Sequence, residues 1–500
     1  MTEPSGGPEL EPGIAPGWAL VRSAAAGPKV IRGGLLRGAG YAFGVVLTAA
    51  ASVFLLRYLG VVDFGRYVTV MSLIAIVSGV ADAGLTAVAN RELATRRLAE
   101  ERNRLMRNLV GLRLLLTPLG VLAAVGFAVI AGYGSTMVAG TALAGAALVF
   151  TATQITLVLP LTADLRIGAL TAFEILRQVL LVAGIAVLVV VGASLLAFFA
   201  VQIVVALAVL AATPLVLGRN LIWRPAADRV QWGWLVREAL PIGAGLAMNV
   251  IYFRTLIIMM SLIAAGRETG LFGTSFRVFE ILFGLAGIVL TVGMPVLAAA
   301  AESDQERLQY VVQRMTEVGL VTAAGFALVL GLAAEPVLVA LGGSEYRDAA
   351  PPLRILALAL VPVFLGQGWQ LALIALRRQS ALLLANGAAF IVVVALGLAL
   401  IPPYGAIGAA VSAVVAESAL ATVLFVVLAR GAARVQPHFD FAWKVALTVL
   451  PALAVVLLPG LPATVDAVLG GLVFVTTAWL LGLLPEEVLS SLRLPRGLRS

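Results

Sequence analysis

The sequence predicts an all-α, polytopic integral membrane protein of about 14 transmembrane helices, arranged as two six-helix lobes plus two extra C-terminal helices. Three observations carry this expectation. Apolar residues make up 61% of the 500 and charged residues 12%, against about 45–50% and about 25% in soluble domains. Mean hydropathy is +1.06, and no soluble core can hide that much apolar surface, because cores stop growing long before this size. From Leu36 onward, apolar stretches recur, each of about 20 residues and long enough to cross about 30 Å of hydrocarbon.

Taken in order, residues 1–35 read as a Pro/Gly/Glu-containing cytoplasmic tail, mostly disordered and without the apolar run of a signal peptide. Spans are expected near 38–57, 67–90, 108–131, 136–160, 174–192 and 194–217, forming an N-lobe over 36–217. A linker over 218–237 leads to a C-lobe over 238–429, with spans near 238–264, 270–298, 314–333, 353–375, 381–401 and 404–429. A second linker, 430–441, precedes spans near 442–459 and 464–484, and 485–500 form a cytoplasmic tail. In lipid every backbone polar group must be satisfied internally, so a helical bundle is the natural architecture.

The basic residues test this count. With the N-terminus inside, cytoplasmic segments hold 26 of the 34 Lys and Arg, and outer loops hold 5: Arg57, Arg66, Arg267, Arg347 and Arg354. Arg113, Arg254 and Arg277 fall inside spans. That bias fits the positive-inside rule and places both termini in the cytoplasm, and losing one span would scramble it downstream. The net charge of +8 is therefore spent on topology, and no nucleic-acid partner is implied.

Composition excludes several chemistries. There is no Cys and one His (His438), so disulfides and Cys/His metal clusters are ruled out. Neither lysine, Lys29 or Lys444, follows a glycine, so no phosphate loop exists. No catalytic residue, metal or cofactor is assigned. The segment Arg91–Arg107 places Ala94, Leu98, Leu105 and Leu109 at helical spacing among arginines. It reads either as an interfacial amphipathic helix or as helices extending spans 2 and 3 into water. Trp223, Trp232 and Trp234 belong at the cytoplasmic membrane interface.

An internal repeat is visible. Gly60-Val-Val-Asp-Phe-Gly65-Arg-Tyr67 and Gly266-Arg-Glu-Thr-Gly270-Leu-Phe272 each pair two glycines with an aromatic, at the same outer turn six spans apart. In phase with a six-plus-six topology, this suggests parallel lobes with the functional site at their interface.

Further motifs join this pattern: Arg57-Tyr-Leu-Gly60 before Phe64-Gly65-Arg-Tyr67, Ala81-Asp82-Ala-Gly84-Leu85 with Asn90-Arg91-Glu92, and Pro402-Pro-Tyr404-Gly405-Ala-Ile-Gly408-Ala-Ala410. Over roughly 36–430 the chain resembles polysaccharide (oligosaccharide-lipid, O-antigen type) flippases of the multidrug/oligosaccharidyl-lipid/polysaccharide exporter superfamily. The resemblance implies transport of a polyprenyl-diphosphate-linked oligosaccharide through a cationic cavity between lobes, by alternating access. It also implies membrane lipids, and a glycan polymerase or export machinery, as partners. Fourteen spans resemble flippases better than the drug-antiporter branch, which typically has twelve.

The residues supply candidates for that task. Arg254 and Arg277 lie at similar depth on either side of the Arg267 turn, about 20 Å and 15 Å from it. An arginine fork suits a diphosphate, and intramembrane charges normally face a cavity or a partner. Glu280 follows Arg277 by three residues and either neutralises it, leaving Arg254 as the free cation, or takes part in coupling. The corresponding N-lobe positions fall near Thr48 and Ser72, which puts the charge on the second lobe only, a departure from lipid II flippases. Asp82 and Arg113 form either an ion pair tying spans 2 and 3 or a gating site. Glu417 is a coupling carboxylate or a protonated helix–helix donor, and Gln367, Gln370 and Asn249 are polar cavity candidates. The alternatives are a cation-coupled multidrug antiporter and a membrane-embedded glycan polymerase. The outer loop 334–352 offers an enzyme only Glu335, Glu345, Arg347 and Asp348.

Overall fold

Glycines break the two longest helices. The computed structural model describes residues 26–96, 98–164, 166–218, 224–291, 294–431, 435–455 and 462–483, and every regular element among them is helical. The first half contains α1 (Ala26–Asp82), α2 (Leu85–Thr95), α3 (Ala99–Ile130), α4 (Ser135–Leu157), α5 (Leu159–Ala163), α6 (Ile167–Val190) and α7 (Leu195–Leu217). The second contains α8 (Arg229–Ile263), α9 (Gly266–Thr291), α10 (Met294–Ser303), α11 (Gln305–Gly342), a 3-10 turn (Ser344–Ala349), α12 (Ala350–Ala375) and α13 (Gln379–Arg430). Helices α14 (Ala442–Ala454) and α15 (Ala463–Leu480) close the described chain.

Eleven stretches are long and apolar enough to cross a membrane; Val46–Thr95 and Ser380–Arg430 are each far longer than one crossing, and Ala442–Ala454 is a shorter apolar helix. The two long ones are interrupted at Gly60 (φ +69°) and Gly405 (φ +52°), so each supplies two spans; the described residues then hold thirteen stretches of membrane-crossing length and the shorter Ala442–Ala454 helix where a fourteenth span was expected. At Gly405 the chain doubles back, bringing Gly408 against the Leu400 carbonyl. The Glu268 carboxylate accepts from the Ala406 N–H at 2.9 Å, satisfying a donor freed by the break. Thus the second glycine turn of the repeat braces the Pro-Pro-Tyr-Gly motif.

Helix α1 is the seam of the bundle: it packs against α3, α4 and α6 on one side and α8 and α9 on the other. In the second lobe α12 lies between α11 and α13, and α14 and α15 pack on α11.

Several boundaries differ from expectation. Helix α1 already runs at Ala26, inside the expected tail; residues 1–25 and 484–500, and with them both termini, lie outside the described residues. Helix α8 begins at Arg229 within the expected linker, because Asp228 caps it by accepting from the Val230 and Gln231 N–H groups at 3.1 and 3.4 Å. Arg104 pairs with Asp228 at 2.8 Å, and its hydrogen bond, with those of the cap, holds this carboxyl below the usual carboxylate range.

The Arg91–Arg107 segment is not one amphipathic helix. Helices α2 and α3 flank a break, Ala94 and Leu98 are exposed, and Leu93, Leu105 and Leu109 bury themselves in a cluster with Leu235 and Ala239. Trp232 and Trp234, both half-buried, pack against that cluster, and Trp232 donates to the Asn108 carbonyl at 3.0 Å. Trp223 lies outside the described residues.

Candidate functional site

A cavity of about 870 Å³ lies between the lobes. Helix α1 contributes Gly44 and Thr48, α6 contributes Glu174, Arg177 and Gln178, and α9 contributes Arg277 and Glu280. It extends past Thr86, Asn90 and Thr162 toward the arginine-rich end of the bundle. At the Gly60 end the two lobes are hydrogen-bonded to each other: Tyr346, fully buried, donates to the Leu56 carbonyl at 3.0 Å, and Arg57 donates to the Ala340 carbonyl at 2.8 Å.

The two arginines singled out by depth do come together, but through a shared acid. Glu280 accepts from Arg254 through one carboxylate oxygen and from Arg277 through the other, the latter at 3.1 Å. Arg254 is therefore not a free cation; its partner comes from the neighbouring helix. Arg277 also donates to Ser52 at 3.4 Å, close to the Thr48 position marked by the repeat. The trio carries one net positive charge, and Arg277 and Glu280 face the cavity.

Charge is not confined to the second lobe. Arg177, which the sequence counted among the cytoplasmic basic residues, lies ten residues into α6, about 15 Å from its start, and lines the same cavity as Arg277. Glu174 pairs with it loosely at 3.5 Å. The signal that could have located Arg177 is the apolar run Ile167–Phe173 ahead of it.

Asp82 and Arg113 form an ion pair, and Arg113 also donates to Thr86 at 2.6 Å. Arg113 is 5% exposed. Both residues line a second cavity, of about 360 Å³, inside the first lobe. The remaining candidates sit elsewhere. Glu417 is buried beside Tyr252, across α13 and α8, and lines neither cavity. Asn249 donates to Asn386 at 3.0 Å, and Gln367 donates to the Phe283 carbonyl at 3.2 Å. Gln370, half-buried, lies on the same helix as Gln367, and none of these three lines either cavity. In the loop offered to an enzyme, Glu335 pairs with Arg347 at 2.9 Å and Asp348 with Arg267 at 2.7 Å.

Fold and cavity together define a multi-pass helical membrane protein with the fold of MOP-superfamily transporters. Among solved structures the chain is similar to the lipid II flippase MurJ in an inward closed conformation, with TM-score 0.74 and 13% identity over 89% of this chain and 98% of that one. It is also similar to a multidrug resistance MATE family transporter in an inward-facing conformation (TM-score 0.57, 15% identity, 79% and 96% covered). A third similar structure is a MOP superfamily transporter from Pyrococcus furiosus described by the reverse polarity of its binding pocket (TM-score 0.57, 15% identity, 83% and 97% covered). At these identities the likeness is one of fold. No protein-family profile and no curated protein sequence matches the chain.

Proposed function

We propose that this protein flips a polyprenyl-diphosphate-linked oligosaccharide across the cytoplasmic membrane by alternating access, for cell-surface polysaccharide biosynthesis. The observation that carries this reading is the Arg254–Glu280–Arg277 trio beside a cavity that the other lobe supplies with Arg177. An unpaired diphosphate in a low-dielectric cavity is very costly, so a cation must meet it. Guanidinium forks keep their charge and match phosphate oxygens in pairs. Glu280 fixes both forks in place and leaves the trio one positive charge in excess.

In this reading the arginine-rich end is cytoplasmic, the cavity faces the leaflet where the substrate is made, and the lipid tail stays in the bilayer. Cells deprived of the protein accumulate intact lipid-linked oligosaccharide on the cytoplasmic leaflet. Finding that intermediate at wild-type levels in the deletion strain, with drug efflux lost instead, would favour the antiporter of the same fold.

A further inference from the structure

The smaller cavity has walls of mixed polarity. It adjoins the larger one, the two sharing Ile155, Arg177 and Gln178 in their walls. Ala144, Ala147 and Ala152 keep it open, Met71 and Leu148 give it apolar faces, and Ser78, Thr151 and Gln202 bring polar groups to it. Its volume is about 360 Å³, a space that suits a mono- or disaccharide.

Residues around both cavities also hold buried polar atoms that the protein leaves unpaired. Buried polar atoms without partners are rare and call for an explanation. Here Thr117 Oγ1 and Arg113 Nε, on residues 1% and 5% exposed, lack partners and belong to residues lining the smaller cavity. Gln154 Nε2 and Asn90 Oδ1 lack partners on residues lining the larger one. A sugar suits walls of mixed polarity, because each hydroxyl both donates and accepts while its C–H faces pack on apolar side chains.

Resting on the lipid-diphosphate reading, we propose that the smaller cavity inside the first lobe is the glycan pocket, holding the one or two sugars nearest the diphosphate. The diphosphate then sits between Arg177 and Arg277, and the sugar bonded to it turns past Gln178 toward Ser78 and Thr117. A pocket of this kind reads hydroxyl positions, since a sugar lacking one leaves a buried polar group unpaired.

The chain has no native Cys, so Thr48→Cys reports on the larger cavity and the near-isosteric Ser78→Cys on the smaller. The purified full chain is labelled with a small cationic methanethiosulfonate reagent in the presence of farnesyl diphosphate, or of farnesyl-diphosphate-linked glucose or N-acetylglucosamine. Both kinds of probe slow labelling at position 48, and only a sugar-bearing probe slows it at position 78, by about tenfold when the probe exceeds its Kd about tenfold. If the sugar-bearing probes protect 48 but neither protects 78, or if farnesyl diphosphate alone protects both equally, the pocket assignment is overturned and the diphosphate reading stands. If no probe protects 48, the diphosphate reading falls and this inference with it. Ser78→Trp, which fills the cavity, reduces binding of the protective sugar-bearing probe to that of farnesyl diphosphate; unchanged binding there also overturns the assignment.

Discussion

Gly65 and Gly270, the second glycines of the two repeated turns, meet backbone to backbone. A Cβ on Gly65 would lie 2.8 Å from the Gly270 nitrogen, and one on Gly270 would collide with the Val61 carbonyl oxygen. The repeat thus brings its two copies into contact with each other and seals the Gly60 end of the lobe interface. The paired glycines are there because nothing larger lets the helices approach so closely.

Gly270→Ala should therefore loosen that seal. If the closed state is weakened by about 1.4 kcal/mol, the open fraction rises about tenfold. An impermeant thiol reagent added outside intact cells should modify Thr48→Cys correspondingly faster in the Gly270→Ala background. Equal rates in both backgrounds would show that this contact does not hold the gate.

The helical, multi-pass architecture was legible because apolar stretches of membrane-crossing length recur along the chain. The turns at Gly60 and Gly405 were legible as glycine positions, though not as breaks within near-continuous helices. Depth was legible too: Arg254 and Arg277 do lie side by side. What sequence spacing could not give was azimuth, and so the bond from Arg254 to Glu280 on the next helix was invisible. Arg177 was missed for a different reason. Its neighbours Glu174 and Arg166 made the stretch look like a charged boundary, although the helix starts at Ile167.

The Asp82–Arg113 pair should behave as a structural clamp. Removing one partner of a buried pair costs about 3–5 kcal/mol, and the lower end applies here because the Asp82 side chain is 30% exposed. Arg113→Met should lower thermal stability in detergent, and adding Asp82→Asn should recover most of the loss. A double variant no more stable than Arg113→Met would assign Asp82 a role beyond the pair.

Glu280→Gln leaves Arg254 and Arg277 without their shared anion. At an effective dielectric of about 20, one charge at about 6 Å is worth nearly 3 kcal/mol. Binding of farnesyl diphosphate should tighten by up to about a hundredfold, while turnover slows because release becomes harder. Weaker binding in this variant would mean that Glu280 matters for folding the site rather than for tuning its charge.

At the arginine-rich end, the Arg104–Asp228 joint has a defined pH response. Because the folded carboxyl titrates below its unfolded value, its contribution is complete above about pH 4 and is lost as pH falls through the lowered folded value. Amide exchange at Val230 and Gln231, corrected for intrinsic rates, should stay protected through mild acid and open only below that range. Deprotection at pH 5–6 would contradict the cap assignment.

The most direct test of the cationic cavity uses proteoliposomes carrying a fluorescent polyprenyl-diphosphate sugar, with flipping read from quencher access. Arg254→Ala leaves Arg277 and Glu280 as a neutral pair, so flipping should fall about a hundredfold, the worth of one guanidinium at about 6 Å in such a cavity, with insertion unchanged. Arg254→Lys should restore only part of the rate, since it keeps the charge and loses the fork. Arg254→Ala with Glu280→Ala should recover part of it as well, by freeing Arg277. Wild-type flipping by the Arg254→Ala protein at equal reconstitution would contradict the account.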